Sequence, residues 1–172
     1  HGGIVNLLEG NGFENADKLI TNTNLKGFLN CTSIFRTDKN LFVGTINGLY
    51  HGTDFSNLTQ LKSIGNTKIN AFYKKGNKLY IGTADGFSIY DFATSKIIFN
   101  TDKLSKVTSF FIDNNTIYIG TQQQGLAVVE LTNITRTDTY KLYSENLNYP
   151  NRLESNRVTG IKKDNNNNIW VS

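Results

Sequence analysis

VTGIKKDNNNNIWVS, residues 158–172, sets two short apolar runs on either side of a polar turn, and three other stretches repeat its plan. Residues 107–121 read VTSFFIDNNTIYIGT, residues 69–83 INAFYKKGNKLYIGT and residues 31–45 CTSIFRTDKNLFVGT. Val107, Asp113 and Tyr118 match Val158, Asp164 and Trp170 once a one-residue difference in turn length is allowed. Self-similarity at a fixed period marks a repeat architecture, in which each unit buries its faces on its neighbours. The glycine after the second run gives the period: Gly44, Gly82 and Gly120 follow at 38 residues each, and Ser172 takes that place 52 residues after Gly120.

Each copy continues alike, with Gly-Thr, a short polar turn, then Gly and an apolar residue: Gly44-Thr45 to Gly48-Leu49, Gly82-Thr83 to Gly86-Phe87, Gly120-Thr121 to Gly125-Leu126. Asn47-Gly48 and Asp85-Gly86 between β-rich runs are hairpin signals, because a tight turn that follows the strand twist needs positive φ at its centre. The extra residue in the third copy predicts a looser turn. Strands are expected near 32–36, 41–45, 49–51 and 59–63; 69–74, 79–83, 87–91 and 96–99; and 107–112, 116–121, 126–131 and 138–143. A fourth copy starts at 158.

At the N-terminus, residues 4–9 read as a strand, with a short run at 18–21, and His1-Gly2-Gly3-Ile4 fits the turn before a third strand. The chain thus begins and stops inside a repeat, and with a first residue His1 and no methionine it is expected to be a piece of a longer protein.

Four short strands per unit of about 40 residues indicate a β-propeller blade, whereas a helical solenoid would show 3.6-residue spacing. The inner strands, such as Leu41-Phe42-Val43 and Leu79-Tyr80-Ile81, are apolar on both faces, as stacking between two neighbouring sheets requires. Phe42, Tyr80, Tyr118 and Trp170 are read as packing between blades, and the glycine after each as room for the next sheet. The fold expected is all-β, a propeller of about four four-stranded blades at 31–63, 69–100 and 107–143, with one blade split between 1–22 and 158–172. The sequence leaves open a closed four-bladed ring or part of a larger one.

Composition agrees with a globular chain: 172 residues can bury a sizeable core, the apolar share is 38%, and no run reaches membrane-span length. The formal charge of +4 is spread through turns, so nucleic acid is not the expected partner. Cys31 is the single cysteine, at the head of an apolar run, and reads as a buried, unreactive thiol.

These residues resemble the two-component regulator propeller repeat. The fourth copy carries the pattern at Val158, Ile161, Asp164, Ile169 and Trp170; the third at Val107, Asp113, Tyr118, Ile119, Gly120, Thr121, Gly125 and Leu126. The series covers the whole chain as four repeat lengths, with Ser172 standing where the pattern has glycine and Tyr or Phe for Trp in three copies. The resemblance implies the periplasmic sensor region of a Bacteroidetes hybrid two-component regulator. It further implies a non-enzymatic region without a cofactor that detects breakdown products of complex glycans. The parent would be membrane-anchored and dimeric, carrying a cytoplasmic histidine kinase, and the partners of this stretch would be an oligosaccharide or other small ligand and the neighbouring blades or domains.

No catalytic or metal-binding set is expected. Asp91 and Glu130 share a repeat position and could be imagined as an acid and base, but equivalent positions on different blades fan apart, and strand-end turns are the expected role. His1 and His51 lack the spacing of a zinc site. Asn165 to Asn168 imitate a calcium loop only in their amides and read as a hairpin turn. The sequons at Asn30, Asn57, Asn114 and Asn133 follow from an Asn- and Thr-rich composition. A polysaccharide-cleaving propeller enzyme and a protein-interaction scaffold are the alternative functions. The stretch expected to carry recognition is the long insertion 144–157, SENLNYPNRLESNR, with Tyr149, Arg152 and Arg157 as ligand-binding candidates for an acidic sugar or a partner domain, because loops on a rigid scaffold often bind.

Overall fold

The structure is a computed structural model that describes residues 31–148, 150 and 152–172, and the backbone of two strands at 5–7 and 13–15. The described residues are all β apart from four short 3₁₀ turns. In chain order the strands are β1 (Val5–Leu7), β2 (Phe13–Asn15), β3 (Cys31–Arg36), β4 (Leu41–Thr45), β5 (Gly48–Gly52) and β6 (Thr59–Gln60). They continue with β7 (Ile69–Lys75), β8 (Lys78–Thr83), β9 (Phe87–Asp91), β10 (Lys96–Thr101), β11 (Val107–Asp113) and β12 (Thr116–Thr121). The last are β13 (Leu126–Glu130), β14 (Lys141–Tyr143), β15 (Ile161–Lys163) and β16 (Ile169–Val171). They form three four-stranded meanders, β3 to β6, β7 to β10 and β11 to β14, and two hairpins, β1–β2 and β15–β16. These are the blades of a β-propeller fold. Among the described residues three blades have four strands, where about four such blades were expected.

The chain divides into two compact units, residues 1–69 and 70–172. In the first, Leu41, Val43 and Leu58 form a buried cluster covered by Cys31, Tyr50 and Phe55. Every residue of β4 is buried, including Thr45, as a continuous apolar run with sheet neighbours on each side should be. The β1–β2 hairpin pairs Val5 with Asn15 and Leu7 with Phe13. Its second strand falls between the strand expected at 4–9 and the run expected at 18–21, and that run lies outside the described residues.

In the second unit the faces can be followed residue by residue. From β11, Phe110 and Ile112, and from β12, Ile117 and Ile119, join Tyr80, Phe87 and Ile89 of the preceding sheet in one core. The alternate residues, Phe111 and Tyr118, join Val158, Ile161, Ile169 and Val171 in another. Successive side chains of a strand point to opposite faces, so one sheet serves two cores.

The glycine after the aromatic sets the spacing between sheets. A Cβ on Gly82 would lie 3.0 Å from Cγ1 of Val107, one on Gly120 2.6 Å from Cγ1 of Val158, and one on Gly44 2.7 Å from Cβ of Ile69. Each of those partners is the first apolar residue of the next copy. Three times over, then, the same contact recurs one period on, as the sequence reading expected of Gly44, Gly82 and Gly120.

Trp170 differs from its counterparts in exposure. Phe42 is fully buried and Tyr80 is 3% exposed, but Trp170 is 64% exposed. Its indole N–H instead donates to Asp164 Oδ2 at 2.8 Å, which turns the ring over its own hairpin turn. Two of the outermost strands are shorter than expected, while β10 runs on to Thr101: β6 ends at Gln60, and β14 begins only at Lys141 because residues 131–133 and 137–139 form 3₁₀ turns. The Tyr140 hydroxyl donates to the Ile134 carbonyl and closes that segment on itself.

Candidate functional site

An antiparallel meander puts the turn between its second and third strands at the same end as the segment that leaves its fourth strand. In the second unit, turn 122–124 therefore meets insertion 144–157 at one end of the β11–β14 sheet, beside the segment 102–106 that enters β11. The insertion is closed at its base. Leu153 N–H donates to Ser144 O at 3.1 Å, and Glu145 N–H to Asn156 Oδ1 at 2.9 Å. The Asn156 amide returns a bond to Glu145 Oε1 at 3.1 Å, while its carbonyl accepts from Gly125 N–H at 2.9 Å. Leu153 packs on the Val158 and Ile161 core and holds the loop to the sheet. Asn156 thus organises the loop, a role its sequence position gave no sign of.

Arg152 and Arg157 are both exposed, and Tyr149 lies outside the described residues. The Arg157 N–H donates to Ser155 Oγ at 3.1 Å, and the next N–H, of Val158, to the Thr121 carbonyl at 2.8 Å. On the other side of the same turn, Gln122 N–H donates to the Lys106 carbonyl at 2.9 Å. The Gln124 side chain accepts from Ser105 N–H at 2.8 Å. Arg157 and Lys106 are thereby placed on either flank of the 121–122 peptide.

The threonine of each Gly-Thr pair builds the turn that follows it within its own sheet. The Thr121 hydroxyl donates to Gly125 O at 2.9 Å and accepts from Gln124 N–H at 2.8 Å. Thr83 does the same with Gly86 O at 3.1 Å and Asp85 N–H at 3.2 Å, and Thr45 with Gly48 O at 2.9 Å and Asn47 N–H at 3.1 Å. All three are buried. Positive φ falls on the glycine that closes each turn, 157° at Gly86 for example, rather than on the turn's centre. There a Cβ would strike the Thr101 carbonyl oxygen at 1.8 Å.

The other candidates take structural positions. The Asp91 carboxylate accepts from the Asn77 amide at 2.9 Å and the Thr94 hydroxyl at 3.0 Å, with the Thr94 bond foremost in holding it below the ordinary carboxylate range. Glu130 ends β13 and accepts from the Thr132 hydroxyl at 3.5 Å. His51 stacks on Phe42 at 4.4 Å with Nε2 2.9 Å from Asn40 Oδ1, and burial lowers its pKa. His1 lies outside the described residues. Burial pushes the half-buried Cys31 thiol up, away from the reactive thiolate.

The Asn165–Asn168 turn is organised by Asp164. Its carboxylate accepts from Asn166 and Asn168 N–H at 2.8 Å each, the Asn168 amide at 2.9 Å and the Trp170 indole. These donors, the indole first, pull its pKa down to about 2. The oxygens a calcium ion would need are thus occupied by the turn. Among the described residues no three His, Cys, Asp or Glu side chains stand together as a metal site.

Beside Trp170 lies a hollow of about 430 Å³, lined by Phe110, Ile161 and Val171 among others. It adjoins Ser172, the repeat position whose counterparts Gly44, Gly82 and Gly120 receive the next copy's Ile69, Val107 and Val158.

No family model and no curated protein matches this chain by sequence. Among solved structures it is similar to the extracellular domain assigned to the hybrid two-component system BT3049 of B. thetaiotaomicron. That likeness has a TM-score of 0.75 and 21% identity over 98% of this chain and 22% of that one. The extracellular domain of BT4673 from the same organism gives 0.64 at 20% identity over 82% and 18%. The computationally designed Ika8 protein gives 0.56 at 17% identity over 84% and 46%. The chain spans about a fifth of the two bacterial domains, and no described helix is long and apolar enough to cross a membrane. The fold this chain shares with the two bacterial proteins is that of their extracellular domains.

Proposed function

We propose that this chain is a ligand-sensing, non-enzymatic stretch of propeller repeats from the extracytoplasmic part of a hybrid two-component regulator, and that it responds to breakdown products of complex glycans. The observation that carries this reading is the likeness to the BT3049 extracellular domain along 98% of the chain. The parent is an inner-membrane protein with this stretch in the periplasm, dimeric, and coupled to a histidine kinase.

The scaffold suits sensing: the turns are pinned by buried threonines, and the insertion 144–157 is held at its base while Arg152 and Arg157 face solvent. Rigid sheets with recognition at one end spend little ordering entropy on a ligand. The test is a thermal-shift screen of the chain against oligosaccharides released from several polysaccharides, with product analysis of the same mixtures. A rise in Tm with uncleaved oligosaccharide is expected. Cleaved products would turn the reading into a polysaccharide-cleaving enzyme, and specific protein capture without any oligosaccharide shift into an interaction scaffold.

A further inference from the structure

The residue just ahead of the first apolar residue of each copy is Asn30, Lys68, Lys106 or Arg157, a cation in three copies and never an acid. The two that fall in the second unit, Lys106 and Arg157, are fixed by the fold. Lys106 N–H donates to the Ala84 carbonyl at 2.8 Å and its own carbonyl accepts from Gln122 N–H at 2.9 Å. Its φ is 52°, a left-handed conformation uncommon for a residue with a Cβ, which those two bonds maintain. Arg157 precedes the N–H that binds Thr121 O.

Between the two cations the Gln122 and Gln123 side chains are exposed, while Gln124 is spent on Ser105. The ion pairs among the described residues are Arg136 with Asp138 and Lys163 with Asp113, so neither cation is neutralised by a carboxylate in contact. The acids at this end are Asp85 and Asp102, together with Glu145, whose Oε1 is engaged by Asn156, and Glu154.

We propose that Lys106 and Arg157, flanking the Gln122–Gln123 amides, form an anion-binding edge that takes the carboxylate or sulfate of an acidic oligosaccharide. This deepens the sensor reading and rests on it. A guanidinium fork matches carboxylate or sulfate oxygens two at a time, a lysine supplies a second charge, and primary amides serve sugar hydroxyls. Two cations with amides between them fit a short anionic sugar better than a run of phosphates, which calls for a longer basic stripe with interleaved aromatics.

The test is calorimetric titration of the 172-residue chain with a galacturonic acid tetrasaccharide, a sulfated heparin-derived tetrasaccharide, neutral maltotetraose and a single-stranded DNA oligonucleotide. Saturable binding of one acidic oligosaccharide, weakening as salt rises, is expected, and which of the two binds separates carboxylate from sulfate. The Lys106→Asn, Arg157→Gln variant should bind at least about tenfold more weakly. Asn tolerates the left-handed conformation, so its melting curve should match the parent's, and Lys96→Gln should bind unchanged. Unaltered affinity in the double variant, or DNA bound more tightly than either acidic sugar, overturns the proposal. Maltotetraose bound as tightly as the acidic sugars overturns the cationic edge and leaves the sensing reading standing. Silence toward every oligosaccharide overturns both.

Discussion

A single hydroxyl on each Gly-Thr pair holds the turn that follows it. Thr121→Val keeps the shape but leaves the Gly125 carbonyl and Gln124 N–H without that partner, at an expected cost of about 1–3 kcal/mol measured by urea unfolding. The preceding glycine acts by having no side chain: Gly120→Ala would push a Cβ to 2.6 Å from Val158 Cγ1 and 2.3 Å from Ser109 Oγ. A loss of about 1–3 kcal/mol is expected, partly restored by Val158→Ala in a double-mutant cycle if the clash is the cause. Asp164 is the residue whose protonation can be watched directly, because Trp170 is the chain's only tryptophan. Its pKa is depressed to about 2, so what the carboxylate contributes to the hairpin is fully present above its ordinary value near 3.8 and is lost as pH falls through about 2. The indole N–H resonance should titrate with that low midpoint, and Asp164→Asn should remove the step. The repeating Gly-Thr was legible in the sequence, and so was the packing reason for its glycine. The hydroxyl's two hydrogen bonds, one donated and one accepted, were not, since they depend on where the turn's carbonyl and N–H point.

At the scale of the strand, a bulge does the work of joining one repeat to the next. The registers of β3 with β4 and β11 with β12 shift between Cys31 and Ser33 and between Val107 and Ser109, so Thr32 and Thr108 fall out of the ladder. Thr32 Oγ1 donates to Ile69 O at 2.5 Å, Thr108 Oγ1 to Val158 O, and the Asn70 amide in the same repeat position to Val107 O at 3.0 Å. In every case the acceptor is the first apolar carbonyl of the next copy. Thr108→Val should therefore loosen the following hairpin more than its own sheet. Faster amide exchange at Ile161 and Val171 than at Ile117 and Ile119 would show it, and equal change in both would count against it. Thr, Asn, Thr and Thr at the second position of the four copies carried this signal in the sequence. Strand positions could be read from turn residues and alternation, whereas the shortening of β6 and β14 was set by 3₁₀ turns that the pattern does not encode.

Within the second unit, each sheet is covered by its successor. Removing residues 144–172 takes away Val158, Ile161, Ile169 and Val171 and uncovers Phe111, Tyr118, Val128 and Tyr143. The shortened chain should melt lower and bind a hydrophobic dye, because stability in repeat proteins is a sum of neighbour interfaces. An unchanged melting curve would mean that the terminal hairpin contributes nothing to the sheet beside it. The expected recognition end was legible only in part: the insertion stood out by its length, but the Asn156 staple ties it to Glu145 and Gly125, and Lys106 and Arg157 come from positions 51 residues apart.

The sequence by itself determined the all-β blade, its strand positions and the contact between Gly44, Gly82 or Gly120 and the copy that follows, because period, turn glycines and alternation are local properties that recur. Only the tertiary structure decided that the Trp170 indole binds Asp164, that the second-position Thr or Asn bridges repeats, and which polar groups share one end of the β11–β14 sheet. Those outcomes depend on the direction of carbonyls and side chains across a packed interface, which no stretch of the chain specifies alone.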